Sequence, residues 1–202
     1  MTFLIPPLSA VRPAARRQAG FSLIEVLVAV VVLSFGLLGM VGMQAASLRT
    51  NRDARLQSSA ITLARELAEM MRGNKAIAMM PTATNPYLMG KTTSPLVAPT
   101  PTYCLAVGSV CATPGAAALA EMTDWLARVD SELPGATVAV CRDTAPYDSN
   151  GLPQWACTST GDQDEIVVKI GWSRPTLQAG GTTDTLSLVP SVVLPVTPGD
   201  TL

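Results

Sequence analysis

One carboxylate stands out for where it sits. Glu25 is the only charged side chain between Arg17 and Arg49, and it lies inside the apolar run Phe21–Met43, FSLIEVLVAVVVLSFGLLGMVGM. A carboxylate buried in hydrocarbon costs roughly 2.5–3.5 kcal/mol on insertion scales, so such a group needs a cationic partner or must reach the interface. A cut between Gly20 and Phe21 would create that partner. The new amine on Phe21 would be a cation at one end of the helix, with Glu25 one turn along. When such helices bundle, the Glu25 carboxylate of one subunit can pair with the Phe21 amine of a neighbour and help set axial register.

Other chemistries have little support. The chain has no histidine, which removes the commonest general base and the commonest metal ligand. No G-x-S-x-G nucleophile motif occurs. Asp148, Asn150 and Gly151 resemble part of a calcium loop, and Asp162, Asp164 and Glu165 form a second acidic group, but neither completes a known calcium spacing. Solvated turns are the favoured reading. No metal, no cofactor and no enzyme activity are expected.

The elements that place Glu25 follow from the same stretch. Residues 21–43, as a helix, reach about 34 Å, enough to cross the hydrocarbon core of a bilayer. Arg12, Arg16 and Arg17 precede the run, with no acid among the first 20 residues. A secretory signal would be cut after a shorter apolar stretch at a small-residue site. Here the cut at Gly20–Phe21, ahead of the apolar run, is the better candidate, and it keeps the helix in the mature chain. Gly36, Gly39 and Gly42 recur every third residue. They either let helices approach closely and extend locally, or reflect the ordinary frequency of glycine in membrane helices.

Residues 44–72 continue the helix without a breaker. Leu56, Ala60, Leu63, Leu67 and Met70 form one apolar stripe. Gly73 and Asn74 are a stop signal. Residues 76–103 hold Pro81, Pro86, Pro95, Pro99 and Pro101 and read as a long irregular connection. Residues 115–133 carry Leu119, Met122, Leu126, Val129 and Leu133 at helical spacing, ended by Pro134–Gly135. Residues 136–141 are β-rich. Residues 143–157 are turn-rich, with a tight turn at Asn150–Gly151. Residues 165–172 alternate, with Ile166, Val168, Ile170 and Trp172 on one side and Val167, Lys169 and Gly171 on the other. Gly180–Gly181 is a turn. Residues 185–189 and 191–196 are weaker strands, which Pro190 and Pro195 restrict to edge or irregular positions. Trp125, Trp155 and Trp172 suit core or interface packing.

The fold class expected is α+β: a long N-terminal helix, half membrane and half amphipathic, packed on a small antiparallel sheet head with one short extra helix. The divisions are 1–20 leader, 21–46 membrane and assembly helix, 47–73 amphipathic half, and 74–202 head. With the basic flank held in the cytoplasm, the head lies in an oxidising compartment. Cys104, Cys111, Cys141 and Cys157 then suggest two disulfides. Three pairings exist; local pairing, Cys104–Cys111 and Cys141–Cys157, is preferred over the others and over free thiols. Without residues 1–20 the chain has 11 basic and 15 acidic side chains, which gives no support for nucleic-acid binding.

Gly20-Phe21-Ser22-Leu23-Ile24-Glu25-Val26-Leu27-Val28-Ala29 resembles the type IV prepilin signature. The resemblance implies cleavage by prepilin peptidase after Gly20, N-methylation of Phe21 and an assembly role for Glu25, fifth in the mature chain. Further stretches resemble the PilV-type minor pilins, or type IV pilus modification proteins. They are Leu33–Met40, Gln44–Arg49, Ala64–Asn74, Trp125–Arg128, Leu133–Ala136, Val140–Asp143 and Val167–Trp172. The proline-rich loop and the tail after Pro175 do not match clearly. That narrower resemblance implies a minor pilin that helps initiate assembly near the filament tip. Its partners would be other minor pilins, the major pilin, a pilus tip adhesin and the inner-membrane pilus assembly machinery. It would sit in the bacterial inner membrane as a single-pass protein with its head in the periplasm, then in the extracellular pilus. A pseudopilin of a type II secretion system shares the leader, Glu25 and long helix and is the alternative.

Overall fold

The computed structural model of the chain describes residues 20–173 and 189–199. The leader, the Gly180–Gly181 turn and most of the 185–189 strand candidate lie outside them. Two compact units divide at Arg49 and Thr50.

The first unit is helical. Helix α1 (Leu23–Gly73) starts one residue after Ser22, whose carbonyl accepts the N–H groups of Glu25 (3.0 Å) and Val26 (3.3 Å). Leu, Val and Ala fill most positions and offer the backbone no competing hydrogen bond, and Ser34 turns its hydroxyl back onto the Val30 carbonyl at 2.7 Å. Among the described residues, α1 is the one helix long and apolar enough to cross a membrane. Its side chains up to Arg55 are exposed in the isolated chain.

The second unit begins inside α1, which buries Ala60, Leu63, Ala64, Leu67, Ala68 and Met71 against the head. The buried face is wider than the expected stripe and turned slightly. Ala64 and Ala68 add a small-residue edge that admits close approach, so Met71 is fully buried while Met70 and Leu56 are only partly so. Gly73 ends α1, but not as a left-handed cap. The Asn74 N–H bonds back to the Met70 carbonyl at 3.0 Å, and the short helix α2 (Lys75–Ala78) follows at once.

The proline-rich connection is less irregular than expected, because it contains strand β1 (Met89–Thr93) as well as α2. Helix α3 (Pro114–Glu132) opens on Thr113, whose Oγ1 accepts the Ala116 N–H at 3.1 Å, with Pro114 at the position where a missing N–H costs nothing. Its Trp125 is fully buried and donates its indole N–H to the Leu63 carbonyl at 2.8 Å, tying α3 to α1.

Strands β2 (Thr137–Arg142), β3 (Ile166–Gly171) and β4 (Val192–Val196) complete an antiparallel sheet of order β1-β2-β3-β4. In register, Val138 lies opposite Ile170, and Val168 opposite Leu194. Val138, Val140, Ile166, Val168, Ile170 and Trp172 meet the buried faces of α1 and α3 in one core. The chain is therefore α+β in a pilin-like layout, a long apolar N-terminal helix with a four-stranded antiparallel head.

Candidate assembly site

Gly20 and Phe21 precede α1 and are exposed; Glu25 lies in the first helical turn. The structure thus brings the three proposed processing and register residues to one helix end. The unsatisfied N–H groups there carry partial positive charge, which favours a carboxylate. Glu25 also heads a helix face continued by Val28, Val32, Gly36 and Met40. That face is apolar except for the acid at its start. Added Cβ atoms at Gly36, Gly39 and Gly42 would meet open space in the isolated chain.

The four cysteines lie far along the chain, in the head. Cys104 is bonded to Cys111, and Cys141 to Cys157. The second loop is anchored by a group that sequence reading passed over. Lys169 and Asp143 are both fully buried and form an ion pair of 2.5 Å. The Lys169 ammonium also donates to the carbonyls of Gln154 (2.7 Å) and Ala156 (2.6 Å), so all three of its protons are used. Asp143 Oδ1 accepts the N–H groups of Ala145 (2.9 Å) and Thr158 (3.1 Å). The loop between the cysteines therefore closes over the second face of β3, where alternation alone would place solvent. The only sequence signal was a lysine between Val168 and Ile170.

Burial alone would raise the Asp143 carboxyl. The hydrogen bond from Lys169, those from the Ala145 and Thr158 N–H groups and the lysine charge outweigh it, and hold the carboxyl below its ordinary value.

The acidic groups at 148 and 162–165 act as turn fasteners. Asp148 Oδ1 accepts from the N–H groups of Asn150 and Leu152, both at 2.8 Å. Asp162 Oδ1 accepts from the Thr82 N–H and hydroxyl, both at 2.8 Å, and these bonds lower its pKa. The buried Arg142 lies 3.8 Å from Asp162 and donates to the carbonyls of Asp164 (2.8 Å) and Met80 (3.2 Å). Among the described residues, no three His, Cys, Asp or Glu side chains converge as a metal-holding group. Trp125 and Trp172 are core residues; Trp155 lies under the Lys91 ammonium, 5.3 Å from its ring centre.

Residues 15–41 match the family model of the prokaryotic N-terminal methylation motif, a stretch that includes Gly20, Phe21 and Glu25 and ends before the head. No curated protein and no solved structure matches the chain. The motif is the type IV pilin and pseudopilin signal. It implies processing by a prepilin peptidase and assembly with other pilins, and it points to a structural protein rather than an enzyme.

Proposed function

We propose that this chain is a minor pilin that takes part in initiating a type IV pilus, at or near the filament tip. Before assembly it is a single-pass inner-membrane protein with its head in the periplasm. The observation that carries the reading is the methylation motif over residues 15–41, which contains Glu25 and overlaps the start of a helix that runs unbroken to Gly73. A tethered enzyme needs only an anchor and a linker; an assembly helix needs this continuity. The narrower assignment is supported by the head sequences that resemble PilV-type pilins, which fall on α3, the turn after it, β2 and β3.

Cleavage after Gly20 frees the Phe21 amine, which remains cationic after methylation. As helices leave lipid and bundle, an unpaired Glu25 stays costly to bury, whereas one that meets a neighbour's Phe21 amine is compensated. Only one axial offset between neighbours makes that pair, so the charge specifies the register while the apolar face supplies attraction. The disulfides Cys104–Cys111 and Cys141–Cys157 hold head loops in shape for contacts with other subunits.

Gly20→Leu should leave residues 1–20 attached, as read by intact mass; normal processing of that variant would overturn the assignment. Glu25→Ala should be cleaved and membrane-inserted yet recovered in sheared pili at a tenth or less of the normal amount. Wild-type chain recovered with secretion-system pseudopilins, and absent from pili, would replace the pilus by the secretion machine.

A further inference from the structure

The segment Cys104-Leu105-Ala106-Val107-Gly108-Ser109-Val110-Cys111 is closed on itself by a disulfide. Four of its six enclosed residues are apolar, yet they contribute nothing to the core. Val107 is fully exposed, Val110 is 89% exposed and Leu105 48%. The turn is held by the Ser109 N–H on the Ala106 carbonyl (2.9 Å) and by Gly108 at φ +86°. Its base is fixed to α3, through the Thr102 N–H on Thr123 Oγ1 at 3.1 Å. The other disulfide loop differs in kind: it covers β3 and is anchored by Lys169. Here the cross-link fixes only the shape of an apolar tip. Fixing a loop before binding removes the ordering cost that a flexible one would incur.

We propose that the 104–111 loop is a docking knob for a different polypeptide, one that offers an apolar, uncharged pocket for Val107 and Val110. Charge selects this occupant. No charged residue occurs from Thr92 to Ala120, so the partner surface needs no counter-charge. A lipid surface is the wrong match, because membrane-seeking segments carry Lys or Arg for the headgroups and this one has none. A second copy also fits poorly. The pockets described on this head contain Arg128 and Glu66, Arg142 and Asp162, or Arg65, and an apolar tip seated there would strip water from those charges and offer no hydrogen bond in return. The inference rests on the pilus-subunit reading for where the partner is sought, among the proteins of the same assembly.

The test is a photo-crosslinking amino acid at Val107 of the full-length chain in piliated cells, with the exposed Ser149 as control. The expected result is one adduct at Val107, absent at Ser149, to another pilus-assembly protein, with mass spectrometry placing the cross-linked site among apolar residues. With the probe moved to Val110, Val107→Asp should lower the adduct yield about tenfold or more, while both disulfides and the circular dichroism spectrum are retained. Adducts to lipid or to a second copy, no adduct, or an undiminished yield in Val107→Asp would overturn the proposal. Leader removal is scored on the same sample. Uncleaved chain defeats the pilus-subunit reading, whereas cleaved chain without an adduct defeats the docking knob alone.

Discussion

A lysine with no solvent contact is stable only if every proton has a partner, and Lys169 meets that condition through Asp143 and two loop carbonyls. Removing the cation leaves Asp143 buried and uncompensated. Lys169→Met should therefore lower unfolding stability by about 3–5 kcal/mol in denaturant titration. Asp143→Asn in the same background should recover part of this, because its side-chain oxygen can still accept from Ala145 and Thr158. The pH dependence has a defined sign. The Asp143 carboxyl is depressed in the folded state, so its contribution is complete above the unfolded value of about 3.9 and is lost as pH falls through the lower folded value. Stability measured from pH 6 downward should be flat in this respect until about pH 4 and then fall, and Lys169→Met should flatten the fall.

At the scale of elements, one indole bonds α3 to the backbone of α1, beside the Arg128–Glu66 ion pair that also joins the two helices. Trp125→Phe keeps most of the ring but loses the donor to the Leu63 carbonyl, and should cost about 1–2 kcal/mol in the same measurement. Gly135 turns the chain from α3 into β2 at φ +55°, and a Cβ there would stand 2.9 Å from Ser173 Oγ. Gly135→Ala should thus cost more than about 1 kcal/mol. The long helix, α3 and β3 were legible in sequence because each carries an apolar pattern of its own. Strand β1 was not. Met89-Gly90-Lys91-Thr92-Thr93 has one large apolar residue, and its extended form comes from pairing with β2, as Met89 with Val140 and Thr93 with Thr137. The stop expected at Gly73 is where α1 ends, but it leads at once into the short helix α2, with no left-handed glycine between them. Of the candidate assembly site, Glu25 was visible because its charge contradicts its surroundings. The Lys169–Asp143 pair was hidden because its two halves are 26 residues apart.

At the scale of the whole molecule, the two units ask for different solvents. Up to Arg49 the apolar side chains of α1 have no cover among the described residues, whereas the unit from Thr50 has a buried core. The full chain should need detergent to stay dispersed and should sediment as aggregate when detergent is removed. The covalent links should also separate by role. Cys141→Ser with Cys157→Ser loosens the loop over Lys169 and should lower stability by about 2–4 kcal/mol. Cys104→Ser with Cys111→Ser frees a tip that covers no core, and its effect should show in partner binding before it shows in Tm.

Strand β4 lies at the sheet margin and carries Pro195 in register with Val167. A proline there has no N–H to direct outward, so that rim cannot extend hydrogen bonding to a stranger at this position. Heads that crowd together at this margin are therefore hindered from zippering their sheets there. One imino acid thus helps each head keep to itself on that side.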